Sequence, residues 1–363
     1  MHGTCTTEKG GAPNPDCTIT YDSSETFLGT ATGKTDPQQA FMAGKIKADN
    51  MGVLMKFATS FDMSKAAEMG GEKTAASSTP ATGPGMNEDC VGRNYRSSAR
   101  LIATEEATAY AQASEDPCQD FQNGTTVPLM FAVNPFMDVA GQAVLDPDLN
   151  ADLLRLVHGE QDMRFHRCLK PGDLVAPRAT IQGIERKSSG ELLHLHQRLM
   201  FNGEVACEAT SSYFVRAPKK ADAPKTDKSP KPLEEPPGEP LFTRSITVSA
   251  DQPIRYGHAS GDTNPIHMDD GTAQAAGHPG IILHGLCTMA FVGQAVIEDY
   301  LDGDYTRLQR LQVRFARPVL PGDVLTTRGW LQEDEEGRHV LALLTTNQKE
   351  EPVITRARAV VSV

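Results

Sequence analysis

The sequence contains no stretch approaching the ~18 uninterrupted apolar residues that a bilayer-spanning helix needs, so no membrane span is expected. It has no C-x-x-C pair. Its seven cysteines (Cys5, Cys17, Cys90, Cys118, Cys168, Cys207 and Cys287) are scattered, and an odd number cannot pair completely within one chain, so they read as reduced thiols. Neither G-x-x-x-x-G-K-[ST] nor G-x-G-x-x-G occurs, which removes the phosphate-cradling nucleotide sites. Basic residues are in deficit, 35 against 47 acidic, for a net charge of -12. With no basic patch to offset that field, nucleic acid is excluded as a general partner. Met1-His2-Gly3-Thr4-Cys5 has neither the basic nor the apolar part of a secretory leader, and Val361-Ser362-Val363 is not the S-K-L address. The expected location is cytoplasmic.

What is present is an ordinary globular composition, 39% hydrophobic and 23% charged, over 363 residues. At roughly 150 residues per domain that length gives a prior of about two to three domains. Between Pro218 and Pro240 seven of 23 residues are proline and five are lysine, which favours extended backbone and cannot bury a core. A second stretch, Asp62 to Glu88, is rich in Gly, Ser, Thr, Ala and Pro and reads as another tether. The expected division is therefore 1–61, a linker 62–88, a unit 89–217, a linker 218–240 and a unit 241–363.

The last two units repeat one another. Met163-Arg164-Phe165-His166-Arg167 runs on to Pro171-Gly172-Asp173, and 150 residues later Val313-Arg314-Phe315-Ala316-Arg317 runs on to Pro321-Gly322-Asp323. A fainter match sets Tyr110, Ser114 and Asp116 against Tyr256, Ser260 and Asp262. In the second unit, 241–248 alternates as a strand and Ser249-x-x-Gln252 predicts a capping-box helix start. Residues 281–301 are apolar on nearly every face, which predicts a helix buried on most sides. Strands are expected near 306–317, 323–333, 338–347 and 352–362. The first unit follows the same order, with a helix over 127–145 and strands from about 153 to 216. An antiparallel sheet curled round one buried helix, twice over, makes an α+β fold.

Chemistry concentrates in one segment. Four of the ten histidines (His258, His267, His278 and His284) lie within 27 residues, with Asp262, Asp269 and Asp270 among them. The histidine spacings match neither H-x-x-x-H nor a tight zinc pattern, so no metal is expected. Gly257-x-x-Ser260-Gly261 has the wrong spacing for a nucleophile elbow. The remaining reading is a proton-transfer pair: Gly261 and Pro265 force the chain into a loop on which Asp262 and His267 can converge on one water, as addition of water across an activated double bond requires. Gly285, opening the buried helix, offers an N–H at the positive end of a helix dipole for a developing oxyanion. The first unit keeps Ser114 and Asp116 but has no counterpart of His267, and Phe131-Ala132 stands in place of His284-Gly285. A purely structural motif would be needed in both copies.

Y-x-x-x-S-G-D-x-N-P-I-H followed by G-x-I-L-H-G-L, with V-R-F-x-R-P-V-x-P-G-D, resembles the signature of the MaoC-like, (R)-specific (type-2) enoyl-CoA hydratases. The resemblance implies a double hot dog and reversible syn hydration of a trans-2-enoyl-CoA to a (3R)-hydroxyacyl-CoA, with no cofactor. Carried over by position, it implies Asp262 and His267 as the catalytic pair and the Gly285 N–H as oxyanion donor. Asn264, Ser260 and His284 would then act in loop support and substrate binding, with Arg314 and Arg317 at the phosphates of an acyl-CoA thioester. It also implies a homodimer. The first unit is similar to the non-catalytic N-terminal half of two-unit hydratases, which shapes an acyl pocket. Residues 16–57, including Gly33-Lys34-Thr35-Asp36-Pro37 and Asn50-Met51-Gly52, resemble the closing half of a sterol-carrier-protein type-two domain. A dehydratase acting on carrier-protein thioesters, and a non-catalytic acyl- or lipid-binding protein, are the alternatives.

Overall fold

The structure, a computed structural model, describes residues 19–31, 40, 45–48, 85–153, 155–217, 236 and 238–363. Nearly all of both expected linkers, and most of the sterol-carrier-like segment, lie outside these residues. The chain divides into two units, 1–75 with 269–281, and 76–268 with 282–363.

In the smaller unit, strands β1 (Ile19–Tyr21) and β2 (Ile46–Ala48) pair antiparallel, with Thr20 opposite Lys47. Helix α1 (Ser24–Ala31) follows β1, and the Ser23 hydroxyl accepts the Thr26 N–H at its start.

The larger unit carries the repeat. After β3 (Asn94–Arg96) and β4 (Arg100–Leu101) come α2 (Thr104–Ala113), α3 (Gln119–Gln122) and α4 (Val133–Val144), then β5 (Leu156–Phe165), β6 (Leu174–Lys187), β7 (Gly190–Phe201) and β8 (Glu204–Arg216). The second half runs β9 (Phe242–Thr247), α5 (Gln252–Ser260), α6 (Asp270–Ala275, counted with the smaller unit), α7 (Gly285–Asp299), β10 (Leu308–Phe315), β11 (Val324–Glu335), β12 (Arg338–Thr346) and β13 (Pro352–Ser362). All pairings in the larger unit are antiparallel and join its strands in one eleven-stranded sheet, ordered β3-β6-β7-β8-β5-β10-β13-β12-β11-β9 with β4 beside β6. One helix lies on each half: α4 on β6 and β7, α7 against β9, β10, β11 and β13.

The four strands expected at the end of the second half appear within about two residues, because Pro321-Gly322-Asp323 and Glu336-Gly337 break the period-2 alternation at the turns. The helices differ more from expectation. Residues 127–145 do not form one helix: a 3-10 turn over Leu129–Ala132 precedes α4. Pro135 explains where α4 can begin, since a missing N–H is tolerated in the first turn and breaks a helix further in. Residues 281–284 are extended rather than helical, Leu283 bridging Val319 with an N–H···O of 2.8 Å. Ser249 is not an N-cap. Its hydroxyl donates to Glu115, and only the reverse half of the expected box, Gln252 Oε1 accepting the Ser249 N–H at 3.1 Å, is present.

Every residue of α7 from Leu286 to Ile297 is buried, as an all-round apolar helix requires. Each fully enclosed Val, Met or Phe there contributes about 1.5–3 kcal/mol. The two halves meet where β5 pairs with β10, Leu311 opposite Met163 and both unexposed. Arg310 grips Asp162 across that seam with two bonds of 2.8 and 2.6 Å. Under the sheet, the fully buried rings of Tyr110 and Tyr256, repeat partners 146 residues apart, join hydroxyls at 2.9 Å.

That hydroxyl pair generates a stability test. Tyr110→Phe and Tyr256→Phe should each cost about 1–3 kcal/mol, because the surviving hydroxyl is stranded in the core. The double variant should cost less than the sum of the two, as read from urea unfolding midpoints.

Candidate active site

Helix α5 delivers the loop that carries the chemistry. It ends at Gly261, whose φ of 81° is the left-handed conformation that favours glycine in a C-cap. The next residue, Asp262, is turned back by its own carboxylate, which accepts the Asn264 N–H at 3.2 Å. Asn264 in turn accepts the Ile266 N–H at 3.3 Å, starting the short 3-10 turn Pro265–His267. Ser260 is buried and its hydroxyl accepts the Asp262 N–H at 3.3 Å. Ser260 and Asn264 thus hold the loop's shape through its backbone.

His267 is 8% exposed, and its Nδ1–H donates to the Ile282 carbonyl at 2.7 Å, which fixes the tautomer and leaves Nε2 as the basic atom. His284 lies flat against it, ring centroids 3.7 Å apart. The His284 Nε2–H donates to the Asp262 carbonyl at 2.8 Å, while its buried Nδ1 has no partner among the described residues. Burial first, and the neighbouring His267 second, push the pKa of His284 down to about 4. A ring that stays neutral at ordinary pH is a poor proton carrier, so His284 serves as a wall and a brace. One carboxylate oxygen of Asp262 and one ring nitrogen from each histidine lie within 4.8 Å of one another. The same three side chains are the donor set a divalent metal would use, although ligands of one tetrahedral zinc sit closer together, about 3.3 Å apart for bonds near 2.0 Å.

Gly285 opens α7 beside this cluster. Its N–H lies in the first turn, where an α-helix supplies no internal acceptor. A Cβ at Gly285 would stand 3.0 Å from the ring of Phe315.

Of the four clustered histidines, the tertiary structure brings together only His267 and His284. His258 is exposed on α5, and His278 belongs with the 269–281 segment. Asp269 caps α6 through the Thr272 N–H at 2.7 Å, and Asp270 accepts the Ile281 N–H at 2.8 Å, so both carboxylates are engaged by backbone. Arg314 does not join the cluster. The strand pleat sends it to the face opposite Phe315, where it pairs with Glu160 at 3.7 Å. Arg317 donates to the Pro352 carbonyl at 3.1 Å.

Sequence reasoning missed several neighbours. Gly257 lets α5 press onto the loop: a Cβ there would meet the Met268 sulfur at 2.7 Å and the Asp262 carbonyl at 3.1 Å. From the other half, His158 lies against Phe315 with centroids 5.2 Å apart and against Tyr213 at 4.8 Å, and the charge of Asp262 acts on both His158 and Tyr213. Only the position of Gly257 inside the motif could have flagged it; β5 and β8 carry no sequence signal of the approach.

The first half repeats this construction without its histidines. Asp116 accepts the Cys118 N–H at 3.0 Å as Asp262 accepts that of Asn264. Phe131 meets Tyr110 at 5.7 Å as His284 meets Tyr256 at 5.1 Å. Gln294 of α7 donates to the Ser114 carbonyl at 2.9 Å and reaches Asp116 at 3.5 Å, sealing the loop.

These features define a class: a double hot dog of the dehydratase type, with one Asp/His loop complete and one reduced. Among solved structures, a MaoC-like dehydratase superposes with a TM-score of 0.64 at 18% identity, covering 75% of this chain and 98% of its own. A Mycobacterium tuberculosis protein described as having a double hotdog fold superposes at 0.52 and 14% identity, over 75% and 96%. Residues 232–352 match the MaoC like domain, 89–208 the FAS1-like dehydratase domain region, and 1–62 the SCP-2 sterol transfer family. The chain thus carries MaoC-like and FAS1-like dehydratase domains behind an SCP-2 segment. It is 30% identical over 213 residues to the mouse (Mus musculus) peroxisomal multifunctional enzyme type 2, covering 58% of this chain and 28% of that one. It is also 30% identical over 196 residues to the peroxisomal enoyl-CoA hydratase 2 of Arabidopsis thaliana, covering 51% and 63%. The chain therefore spans less than two thirds of either relative. Among the described residues no helix is long and apolar enough to cross a membrane.

Asp116 supplies a test that separates structure from chemistry. Burial pushes its pKa up to about 6, above the ordinary 3.8, so its contribution to stability is full below the unfolded value and is lost as pH rises through the folded one. Asp116→Asn should raise the free energy of unfolding at pH 7.5 by roughly 2–3 kcal/mol at most, seen as a higher unfolding midpoint. That gain should vanish near pH 4 in calorimetric scans.

Proposed function

We propose that the chain is a hydro-lyase that reversibly adds water, syn, across the double bond of a trans-2-enoyl-CoA to give a (3R)-hydroxyacyl-CoA in fatty-acyl metabolism. The observation that carries this reading is the approach of Asp262 and His267 within 4.8 Å beside the N-terminus of α7. A water held between the two gives a proton to one of them as its oxygen bonds to C3. Electron density moves to the thioester oxygen, where the Gly285 N–H and the helix dipole favour negative charge. The other member of the pair delivers a proton to C2 on the same face, and the enolate returns to a thioester. No redox partner or cofactor enters the balance. The name of the Arabidopsis relative, an enoyl-CoA hydratase, supports the same chemistry.

In this reading 241–363 holds the chemistry and 89–217 the acyl side, behind the 1–61 segment and joined by the two linkers. Ser260, Asn264 and His284 shape the loop, and Arg317 is the arginine kept for the CoA phosphates. A homodimer in the cytoplasm completes the proposal. Sedimentation and imaging of a tagged chain check these points, a peroxisomal signal being the result that would move it to the compartment named for its relatives.

The decisive measurement is loss of the enoyl-thioester absorbance across a chain-length series, with chiral analysis of the product. A (3R) product is expected, and an (S) product or no turnover at any length would overturn the reading. Asp262→Ala and His267→Ala should each lower kcat by about 10²–10⁴-fold with circular dichroism unchanged. Full activity in either is incompatible with the mechanism. Chelators should leave activity intact, which distinguishes the proton-transfer pair from a metal site. Gly285→Ala forces a Cβ against Phe315 and should lower kcat by about tenfold or more by moving the N–H.

A further inference from the structure

A cavity of about 10 Å3 is lined by Leu286, next to Gly285, and otherwise by residues of the first half. That is room for roughly one water. Its walls include apolar residues of α4, but its floor is polar: Gln161, Gln197 and Ser211 are each only 2% exposed. An acyl pocket meant for plain hydrocarbon gains nothing from three buried polar side chains.

Proton accounting shows what the floor presents. Ser211 Oγ lies 2.6 Å from one amide end of Gln161 and 2.7 Å from one of Gln197. A hydroxyl has one hydrogen and can donate to only one of them. Gln197 is fixed by its other end, where Nε2 donates to the Phe136 carbonyl at 3.2 Å, so its oxygen takes the Ser211 hydrogen. Gln161 must therefore turn its NH2 toward Ser211, an exchange of amide O and N that heavy-atom positions alone do not distinguish. The same NH2 then gives its second hydrogen to His158 Nε2 at 3.0 Å. His158 can accept it, because burial keeps that ring neutral. Both amide hydrogens are now used, and the Gln161 carbonyl oxygen takes the amide position that has no hydrogen-bond partner among the described residues, at the wall of the cavity.

We propose that this cavity receives a hydroxyl borne on the acyl chain of the substrate, its O–H donating to Gln161 Oε1, so that the preferred substrates are hydroxylated trans-2-enoyl thioesters. Leu286 adjoins the Gly285 N–H where the thioester oxygen would sit, so a chain leaving that point toward the first half meets this floor. His158, bonded to Gln161 at one ring nitrogen, packs on Phe315 with centroids 5.2 Å apart, and a Cβ on Gly285 would stand 3.0 Å from that same ring, which places the floor beside the reacting end. The inference rests on the hydration reading above and adds the substrate class to it.

The test compares kcat/KM for paired trans-2-enoyl-CoA substrates of four to ten carbons, with and without a terminal hydroxyl, in the wild type, Gln161→Leu and Ser211→Ala. At the length that reaches the cavity the hydroxyl should raise kcat/KM about tenfold, mostly through KM, as one added neutral hydrogen bond would. Gln161→Leu should erase or invert that ratio and Ser211→Ala should shrink it, each ratio being taken within one preparation so that a loss of folded protein cancels. Turnover in the wild type with no hydroxyl preference at any length, or a preference that survives Gln161→Leu, overturns the inference and leaves the hydration reading standing. Absence of turnover with both series overturns that reading and the inference with it.

Discussion

The antiparallel pairing of β5 with β10 carries the rest of the architecture, because it makes one sheet out of two copies of the same unit. Five residue pairs, Arg310 opposite Arg164 through Arg314 opposite Glu160, and the Arg310–Asp162 clamp set the register. A slip of one residue would turn Met163 and Leu311 out of the core. With the seam fixed, each half supports the other's loop. Asn134 of α4 donates to the Ala259 carbonyl at 2.7 Å, ahead of the Asp262 loop, and Gln294 of α7 donates to the Ser114 carbonyl, ahead of Asp116. Neither loop has its full set of partners within its own half.

That reciprocity separates the duties of the two copies. Both retain a buried tyrosine, a backbone-bonded aspartate and an aromatic ring over the tyrosine, which are the parts that hold the shared geometry together. Only the second adds a basic ring nitrogen beside the carboxylate and a glycine at the head of a buried helix. In the first, Phe131 fills the space of His284, and Asp116 is sealed by Gln294, so burial raises its pKa. A carboxylate shut away from water stays as part of the scaffold.

Much of the fold was legible because its signals are local. Alternation and the Pro-Gly-Asp and Glu-Gly turns locate β10 to β13 to within about two residues, and the R-F-x-R repeat locates the two strands that meet at the seam. The failures have physical causes as well. The helix expected over 127–145 is cut by the demands of Pro135, and the one expected from 281 begins at Gly285 because Leu283 is taken by Val319. Ser249 reads as a cap in sequence, yet Glu115, 134 residues away, takes its hydroxyl. A local motif cannot anticipate a stronger, charged acceptor brought in by folding.

The sequence by itself determined that Asp262 and His267 share one loop, since Gly261 and Pro265 allow no long helix or strand between them, and that a helix buried on most sides follows it. It also determined that only one of two copies keeps those residues. The tertiary structure alone decided which of four clustered histidines meet, that Arg314 faces away from the site, and that Gln161, Gln197, Ser211 and His158 from the other half form a polar floor beside it. Spacing along a chain sets what a loop can do locally, whereas pleat direction, strand register and the pairing of β5 with β10 bring together side chains such as Asp162 and Arg310, 148 residues apart, and no local pattern encodes that distance.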